Sequence, residues 1–271
     1  MVTAVRTPAV AGRFYPGQRE ELLREIREYT AATDVTPAAA IGCIVPHAGY
    51  MYSGHVAGAV YARLEVPQHC IILCPNHTGR GVPLAAMTVT AWQTPLGEAA
   101  ASKELGWQLL RRFPLLEEDS AAHRAEHAIE VQLPFLQAAQ ENLHILPIAV
   151  GTSDFGVLHG LGEALAEVIT ASKNKVLMIA SSDMNHYESD AITRVKDRRA
   201  IDHVLALDGR GLWETVISED ISMCGFGPAV VMLTAATKLG ATSATLVRYA
   251  TSGDVSGDLD RVVGYAAIIV Q

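Results

Sequence analysis

The chain has 271 residues, of which 49% are hydrophobic and 18% charged, and its formal net charge is −8. This composition favours a folded protein with a large core and excludes a disordered chain. Because no cluster of Lys and Arg offsets the negative charge, the sequence argues against binding to nucleic acid or to an anionic membrane. The first ten residues lack the pattern of a signal peptide, and no apolar run approaches the ~18 residues of a membrane span, which predicts a cytoplasmic protein.

Helices and strands alternate along the sequence. Apolar residues at helical spacing, and short apolar runs bounded by Pro and Gly, distinguish the two kinds of element. Helices are predicted over 19–30, 53–64, 102–112, 154–171, 189–207, 209–218 and from 228 to 239. Strands are predicted over 41–45, 69–74, 85–91, 144–150, 176–181, 243–250 and 262–270, the last two as a β-hairpin.

Neither a low-complexity linker nor a repeat of fixed period divides the chain. Residues 1–271 are therefore predicted to form a single α/β domain. Its central β-sheet is expected to be mixed but mostly parallel, with helices covering both faces, because strands alternate with helices along the sequence.

Three predicted strands deliver a histidine at their exits. His47 follows the strand 41–45, His77 follows 69–74, and His186 follows 176–181. In open α/β sheets, ligands bind in the crevice outside the carboxyl ends of the strands. The recurrence therefore predicts one shared site at this edge of the sheet.

Two of these histidines and one cysteine are candidate metal ligands. His47 and His77 each leave a buried strand beside Pro, and imidazole at such a position can bind zinc, copper, iron or nickel. The alternative is that both are structural and brace loops. Cys224 precedes Gly-Phe-Gly-Pro at the start of an apolar helix, whose dipole is expected to lower the thiol's pKa. The other three cysteines are interpreted as buried free thiols.

Acid and imidazole groups occur in pairs. Asp183 near His186 is expected to hold that imidazole in one tautomer and support it as an acid or base. Glu126 and His127 form a second such pair, with Glu130 one helical turn from His127. The remaining histidines are interpreted as structural (His69, His144, His159, His203), as solvated (His123), or as a neighbour of the site or without a role (His55).

Several motifs in order resemble those of the MEMO family, whose prokaryotic branch is named AmmeMemoRadiSam system protein B. They are Pro8-Ala-Val-Ala-Gly-Arg-Phe-Tyr-Pro16, Pro46-His-Ala-Gly-Tyr50 with Ser53-Gly54, Pro75-Asn-His77, Thr94-Pro-Leu-Gly97, Glu126-His127 with Leu133-Pro134, Ser181-Ser-Asp183 with His186, and Cys224-Gly225 with Pro228. That family in turn resembles class III extradiol dioxygenases, which are non-haem iron enzymes. The resemblance implies a class III extradiol dioxygenase-like fold.

The resemblance also implies roles for individual residues. His47 and His77 match the two metal-ligand histidines, and Cys224 stands where the dioxygenases use a carboxylate. His127 and His186 match the pocket histidines that act on substrate hydroxyl and oxygen. Because a thiolate is softer than a carboxylate, it favours copper or zinc and argues against ring-cleaving dioxygenase activity.

Cofactors and partners follow from the same resemblance. Family members are associated with iron or copper redox chemistry, and zinc is the further alternative on the chemistry of the ligands. The family name implies a functional link to a radical-SAM protein and an AMMECR-type protein. A small-molecule or peptide ligand is expected in the strand-end crevice.

Three functions are open on the sequence. The preferred one is a metal-dependent redox enzyme in which His47, His77 and Cys224 bind iron or copper; His127, His186 and Asp183 would then manage protons. The second is a non-catalytic binding module that takes a peptide or anionic ligand in the same crevice. The third is a cysteine-nucleophile enzyme, with Cys224 activated by His186 or His127.

Overall fold

The structure is a computed structural model that describes residues 5–31 and 35–271. Residues 1–4, on which the prediction about a signal peptide partly rests, lie outside these ranges. The α-helices are α1 (Arg19–Thr30), α2 (Tyr50–Tyr61), α3 (Lys103–Arg112), α4 (Leu133–Ala139), α5 (Phe155–Ala171), α6 (Asp190–Leu205), α7 (Gly209–Ser218), α8 (Phe226–Lys238) and α9 (Gly253–Ser256). The strands are β1 (Val5–Arg6), β2 (Gly42–Val45), β3 (His69–Pro75), β4 (Leu84–Ala86), β5 (Ala91–Thr94), β6 (Gly97–Ala101), β7 (Glu117–Glu118), β8 (His144–Val150), β9 (Val176–Ser181), β10 (His186–Glu188), β11 (Ala244–Thr251) and β12 (Val262–Val270).

One sheet collects these strands in the order β1-β5-β6-β8-β3-β9-β2-β12-β10, with β11 paired to β12 and β4 paired to β7 and β8. The neighbours β8, β3, β9 and β2 are parallel to one another, whereas β12 runs antiparallel to β2 and to β11. Among the described residues, no helix combines the length and apolar character that crossing a membrane requires. The predicted fold class, a mixed and mostly parallel sheet with helices on both faces, is confirmed.

The central strands are buried on both faces, and their side chains alternate between two cores. In β3, Ile71 and Leu73 point into one core, while Cys70, Ile72 and Cys74 point into the other. Helices α5 and α8 cover the first core, and α1, α2 and α4 cover the second. Burial on both sides explains why these strands are apolar at most positions rather than at alternate ones.

The register of the parallel strands sets where the site can form. Val45 at the end of β2 pairs with Ser181 at the end of β9, and Leu73 of β3 pairs with Ala180. The carboxyl ends of β2, β3 and β9 therefore lie side by side. Whatever follows these three strands in the chain is brought to one edge of the sheet.

Helix α2 begins earlier than predicted, at Tyr50 and not after Ser53. The predicted N-cap was wrong because the Ser53 hydroxyl donates to the Ala48 carbonyl (3.0 Å) from inside the first turn. The helix keeps its glycines because it packs closely on α1. A Cβ atom on Gly58 would lie 2.6 Å from the backbone oxygen of Tyr29. At the other end of the helix, the backbone N–H of Tyr50 donates to the Phe14 carbonyl at 2.7 Å, which holds the start of α2, and His47 just before it, against the N-terminal part of the chain.

Candidate metal centre

His47, His77 and Cys224 converge at the predicted edge of the sheet. His47 follows β2, His77 follows β3, and Cys224 precedes α8 by two residues. One ligand atom of each residue lies within 4.8 Å of the other two, and Cys224 Sγ is 3.2 Å from His47 Nε2. The structure therefore brings together the three side chains that the sequence predicted as metal ligands.

Hydrogen bonds fix the tautomer of His47. Its Nδ1 atom is 3.0 Å from Ser181 Oγ, and the Ser181 hydroxyl donates its own proton to the Ala128 carbonyl at 2.6 Å. Ser181 Oγ can therefore only accept from His47, so Nδ1 carries the proton and Nε2 presents its lone pair to Cys224. Burial, reinforced by His77, lowers the pKa of His47 well below its usual range. A neutral imidazole of this kind is ready to bind a metal.

Glu126 fixes His77 in the same way. Its fully buried carboxylate accepts from the backbone N–H of His77 (2.8 Å), from His77 Nδ1 (2.9 Å) and from the Ala128 N–H (3.0 Å). Burial opposes ionisation of Glu126, but the hydrogen bond and charge of His77 outweigh it and lower its pKa to about 2. The carboxylate is therefore ionised at neutral pH. Burial alone would lower the pKa of His77, but the hydrogen bond and charge of Glu126 outweigh it and raise that pKa, so a metal ion must compete with a proton for His77 Nε2.

The thiol of Cys224 does not have the depressed pKa that its place before α8 led us to expect. Although Cys224 keeps some exposed surface, burial of its thiol and then the charge of Asp183 raise its pKa. Desolvation here outweighs the dipole of the helix that begins at Phe226. Cys224 is thus a protonated thiol on its own, and a bound metal ion would displace the proton.

Asp183 and His186 are not paired in the way the sequence suggested. Asp183 Oδ1 accepts from the backbone N–H of His47 at 2.7 Å, whereas His186 Nδ1 lies 2.8 Å from the Ser222 carbonyl oxygen. Burial raises the pKa of Asp183 against the opposing effect of the His47 N–H. Asp183 therefore holds the backbone of a predicted ligand, and a carbonyl group orients His186. A proton-transfer role for Asp183 stays a prediction.

His127 packs against both candidate ligand histidines. Its ring stacks on His77 with centroids 4.9 Å apart, lies 5.4 Å from the ring of His47, and contacts Phe14 at 4.9 Å. Its Nδ1 atom is 3.5 Å from Glu126 Oε1. Burial lowers the pKa of His127, although Glu126 opposes this effect. A mostly neutral imidazole therefore stands beside the candidate metal position.

A cavity of about 600 Å³ opens onto the cluster. It is lined by all six residues to which the preferred function assigns a role, namely His47, His77, His127, Asp183, His186 and Cys224. Phe14, Tyr187 and Tyr265 give it aromatic walls. The crevice can therefore take a small molecule with an apolar body and polar groups directed at the histidines.

The family model for Memo-like protein matches residues 6–269. This chain belongs to the MEMO family. Among its relatives, a MEMO1 family protein of Methanosarcina mazei is 44% identical over 268 residues, covering 98% of this chain and 99% of the relative. The MEMO1 family protein PAE0818 of Pyrobaculum aerophilum is 43% identical over 277 residues, covering 98% of each chain. The resemblance drawn from the motifs is confirmed.

A solved structure supports the fold of this MEMO family protein. The crystal structure of uncharacterized protein JW3007 from Escherichia coli K12 aligns with a TM-score of 0.53 over 84% of this chain and 98% of that one. The two sequences are 13% identical. At this identity, the likeness concerns the fold alone.

The other histidines of this MEMO family protein lie away from the centre. The rings of His69 and His144 stack with their centroids 5.1 Å apart. Both residues begin their strands, β3 and β8, at the end of the sheet opposite to the strand exits, and they line a separate cavity of about 660 Å³. That cavity is larger. Among the described residues, however, the group of three candidate ligands that includes His47 and Cys224 lies at the strand exits and not in that cavity. His123, predicted to be solvated, is fully buried, because its Nε2 atom meets the Ala85 carbonyl at 3.1 Å.

Some residues that shape the site escaped sequence reasoning. Ser181 and Gln132, which form a hydrogen-bonded chain to His47, carried no signal of that role. Glu126 was noticed as a neighbour of His127, but its main partner is His77. The predicted pair of Glu126 and His127 is present at 3.5 Å, but the sequence did not indicate the shorter bond to His77.

In this MEMO family protein, Glu126→Gln is expected to weaken metal binding about 10–100-fold, the usual cost of losing an outer partner of a ligand histidine. In the wild-type protein, N–H groups of His77 and Ala128 donate to the Glu126 carboxylate. The glutamine amide has only one oxygen, so its NH₂ group must face one of these N–H groups, and two donors then meet without an acceptor. The dissociation constant for Co(II), measured by competition with a chelator, tests this. Glu118→Gln is the matched control, since Glu118 accepts from Thr88 far from the centre. Equal affinities of the two variants would contradict the role given to Glu126.

Proposed function

We propose that this protein is a metal-dependent redox enzyme that holds iron or copper through His47, His77 and Cys224. The observation that carries the proposal is the convergence of one ring nitrogen from each of two imidazoles and one thiol sulfur within 4.8 Å beside a cavity that all three residues line. In its neutral form, each imidazole is held in the tautomer that carries its proton on Nδ1. Ordinary structural histidines need no such shared orientation.

The donor set fits a transition metal. Imidazole suits iron, copper and zinc, and a thiolate favours the softer members of that series. Three protein ligands leave open positions, as catalytic metal sites require. When bound, iron or copper would supply one-electron redox chemistry beside the crevice. Zinc fits the same ligands as a Lewis acid without redox chemistry.

The residues around the centre divide the remaining tasks. Burial and mutual repulsion keep His47 neutral, and Glu126 keeps the lone pair of His77 directed away from the carboxylate. His127 and His186 line the cavity as imidazoles that can exchange a proton with a ligand. The aromatic side chains of Phe14, Tyr187 and Tyr265 would contact the body of a bound molecule.

The geometry bears differently on the two alternatives. A cysteine nucleophile needs an accessible thiolate, whereas burial and Asp183 raise the pKa of Cys224. A binding module without turnover would use the same crevice and stays a prediction. So do the cytoplasmic location and the functional link to radical-SAM and AMMECR-type proteins.

Metal analysis of anaerobically purified protein, followed by titration of metal-free protein with Co(II), tests the proposal. We expect one equivalent of metal and an absorption band from thiolate-to-metal charge transfer. This band reports on the ligand set and does not depend on knowing the substrate. Negligible metal after purification, together with no binding of added Co(II), Cu or Fe(II), would overturn the proposed function.

A further inference from the structure

A hydrogen-bonded unit of Asn185 and Ser222 lies directly behind His186. Asn185 is 1% exposed, and its Oδ1 atom accepts from both the N–H (3.1 Å) and the hydroxyl (3.0 Å) of Ser222. Ser222 Oγ in turn accepts from the backbone N–H of His186 at 2.8 Å. Asn185, the residue before His186, therefore binds both the backbone and the side chain of Ser222.

The same unit determines which nitrogen of His186 carries a proton. The Ser222 carbonyl oxygen lies 2.8 Å from His186 Nδ1. A carbonyl oxygen only accepts hydrogen bonds, so Nδ1 must donate and Nε2 must be the unprotonated atom of the neutral ring. Among the described residues, Nε2 has no hydrogen-bond partner, and His186 lines the cavity.

Asn185 is itself anchored in the fold. Its backbone N–H donates to the buried carboxylate of Asp197 on α6 at 2.8 Å, and its carbonyl accepts from the N–H of Gly264 on β12 at 2.9 Å. Its Nδ2 atom donates to Glu188 at 2.7 Å. Every polar group of this side chain is used, so the amide cannot rotate without breaking several bonds.

We propose that Asn185 is a positioning residue: through Ser222 it fixes His186 with the proton on Nδ1, so that Nε2 meets a ligand in the crevice as a proton acceptor. The ligand class follows from this assignment, since Nε2 would take an O–H or N–H group of the bound molecule. The inference rests on the proposed function in that it names the base of the same site. Because Ser222 lies two residues before Cys224, the hydrogen bonds from Ser222 to Asn185 also help to position Cys224 Sγ.

Nitrogen NMR of metal-free, ¹⁵N-labelled protein at about pH 8, above the ordinary imidazole pKa of about 6.5, tests the assignment directly. His186 is identified by the loss of its signals in His186→Gln. We expect a single Nδ1–H tautomer in the wild-type protein. In Asn185→Ala and Ser222→Ala, the Nε2–H form should gain population and give the mixture of an untethered imidazole.

Thr193→Val is the matched control. Thr193 Oγ1 lies 3.3 Å from Asn185 Nδ2, on the side of the amide away from Ser222. Removing this hydroxyl loosens the neighbourhood of Asn185 but leaves the bonds from Oδ1 to Ser222, so the tautomer of His186 should not change. If Asn185→Ala does not fold, Ser222→Ala decides the question, because it removes the bridging hydroxyl alone.

A second readout is the dissociation constant for Co(II), which we expect to rise about tenfold in Asn185→Ala as the Cys224 segment loosens. An Nε2–H tautomer in the wild type would overturn the inference. So would an unchanged tautomer in both variants, or an equal change in Thr193→Val. A wild-type protein that binds no metal but holds His186 as the Nδ1–H tautomer would instead overturn the proposed function and support the role of Asn185.

Discussion

Replacing Glu130 with alanine is expected to lower the free energy of unfolding by about 3–5 kcal/mol. Glu130 is fully buried and accepts from Arg6 Nη1 at 2.7 Å and from the Tyr15 hydroxyl at 2.9 Å. It also accepts from the backbone N–H groups of Ala9 and Val10. Without this carboxylate, the guanidinium of Arg6, which is 6% exposed, stays in the interior without a counter-charge. That uncompensated charge accounts for the size of the effect.

Urea unfolding, with the free energy extrapolated to zero denaturant, measures this loss. The matched control is Glu214→Ala, which removes an exposed carboxylate 3.7 Å from Arg210 and should cost less than about 1 kcal/mol. Because Glu130 ties residues 6–15 to the segment that carries Glu126, the variant should also bind metal less tightly. A Glu130→Ala protein as stable as the Glu214→Ala protein would show that this buried pair does not hold the N-terminal segment in place.

The strand exits could be predicted because their sequence signal is local and strong. Apolar runs such as 69–74, ended by Pro, are typical of strands buried on both faces, and parallel neighbours must end at the same edge. His47 and His77 follow such runs and do meet, with ring centroids 5.1 Å apart. Here the distance along the chain did not matter, because the sheet itself brings the exits together.

The fine structure of the site could not be predicted because it depends on partners from distant loops. The carbonyl that orients His186 belongs to Ser222, and nothing in the sequence links these two residues. The sequence suggested Asp183, which is nearer in the chain but turns toward the backbone of His47. The prediction of a lowered pKa for Cys224 was wrong for a related reason, since desolvation depends on packing that a motif does not show.

Several short strands were not predicted, and for one of them, β6, local propensity opposed the final structure. Residues 97–101, Gly-Glu-Ala-Ala-Ala, contain good helix formers, yet they form β6 between β5 and β8. Pairing on both sides overrides the helical preference of alanine and glutamate. Gly97, with φ of 127°, makes the turn from β5 that such pairing requires.

Substituting Cys224 with alanine is expected to weaken metal binding by more than about 100-fold, beyond the 10–100-fold that loss of an outer partner costs. The variant keeps both imidazoles but removes the soft sulfur donor, so the affinity for copper should fall more than the affinity for iron. Protein folding should change little, because Cys224 keeps some exposed surface and its thiol is held by weak contacts, to His47 Nε2 and, at 3.6 Å, to the Asp183 carbonyl oxygen. Chelator competition measures the affinity, and the thiolate charge-transfer band should disappear.

Cys70→Ala is the matched control for this experiment. Cys70 is a fully buried thiol at the opposite end of β3, so its removal leaves a small cavity in the core but keeps all three proposed ligands. It should therefore lower the midpoint of unfolding slightly and keep the wild-type metal affinity and absorption band. If Cys224→Ala and Cys70→Ala bound metal equally well, the sulfur would not be a ligand. The two histidines would then need another partner, and of the residues lining the crevice Asp183 is the carboxylate close enough to the His47 backbone to be tested next.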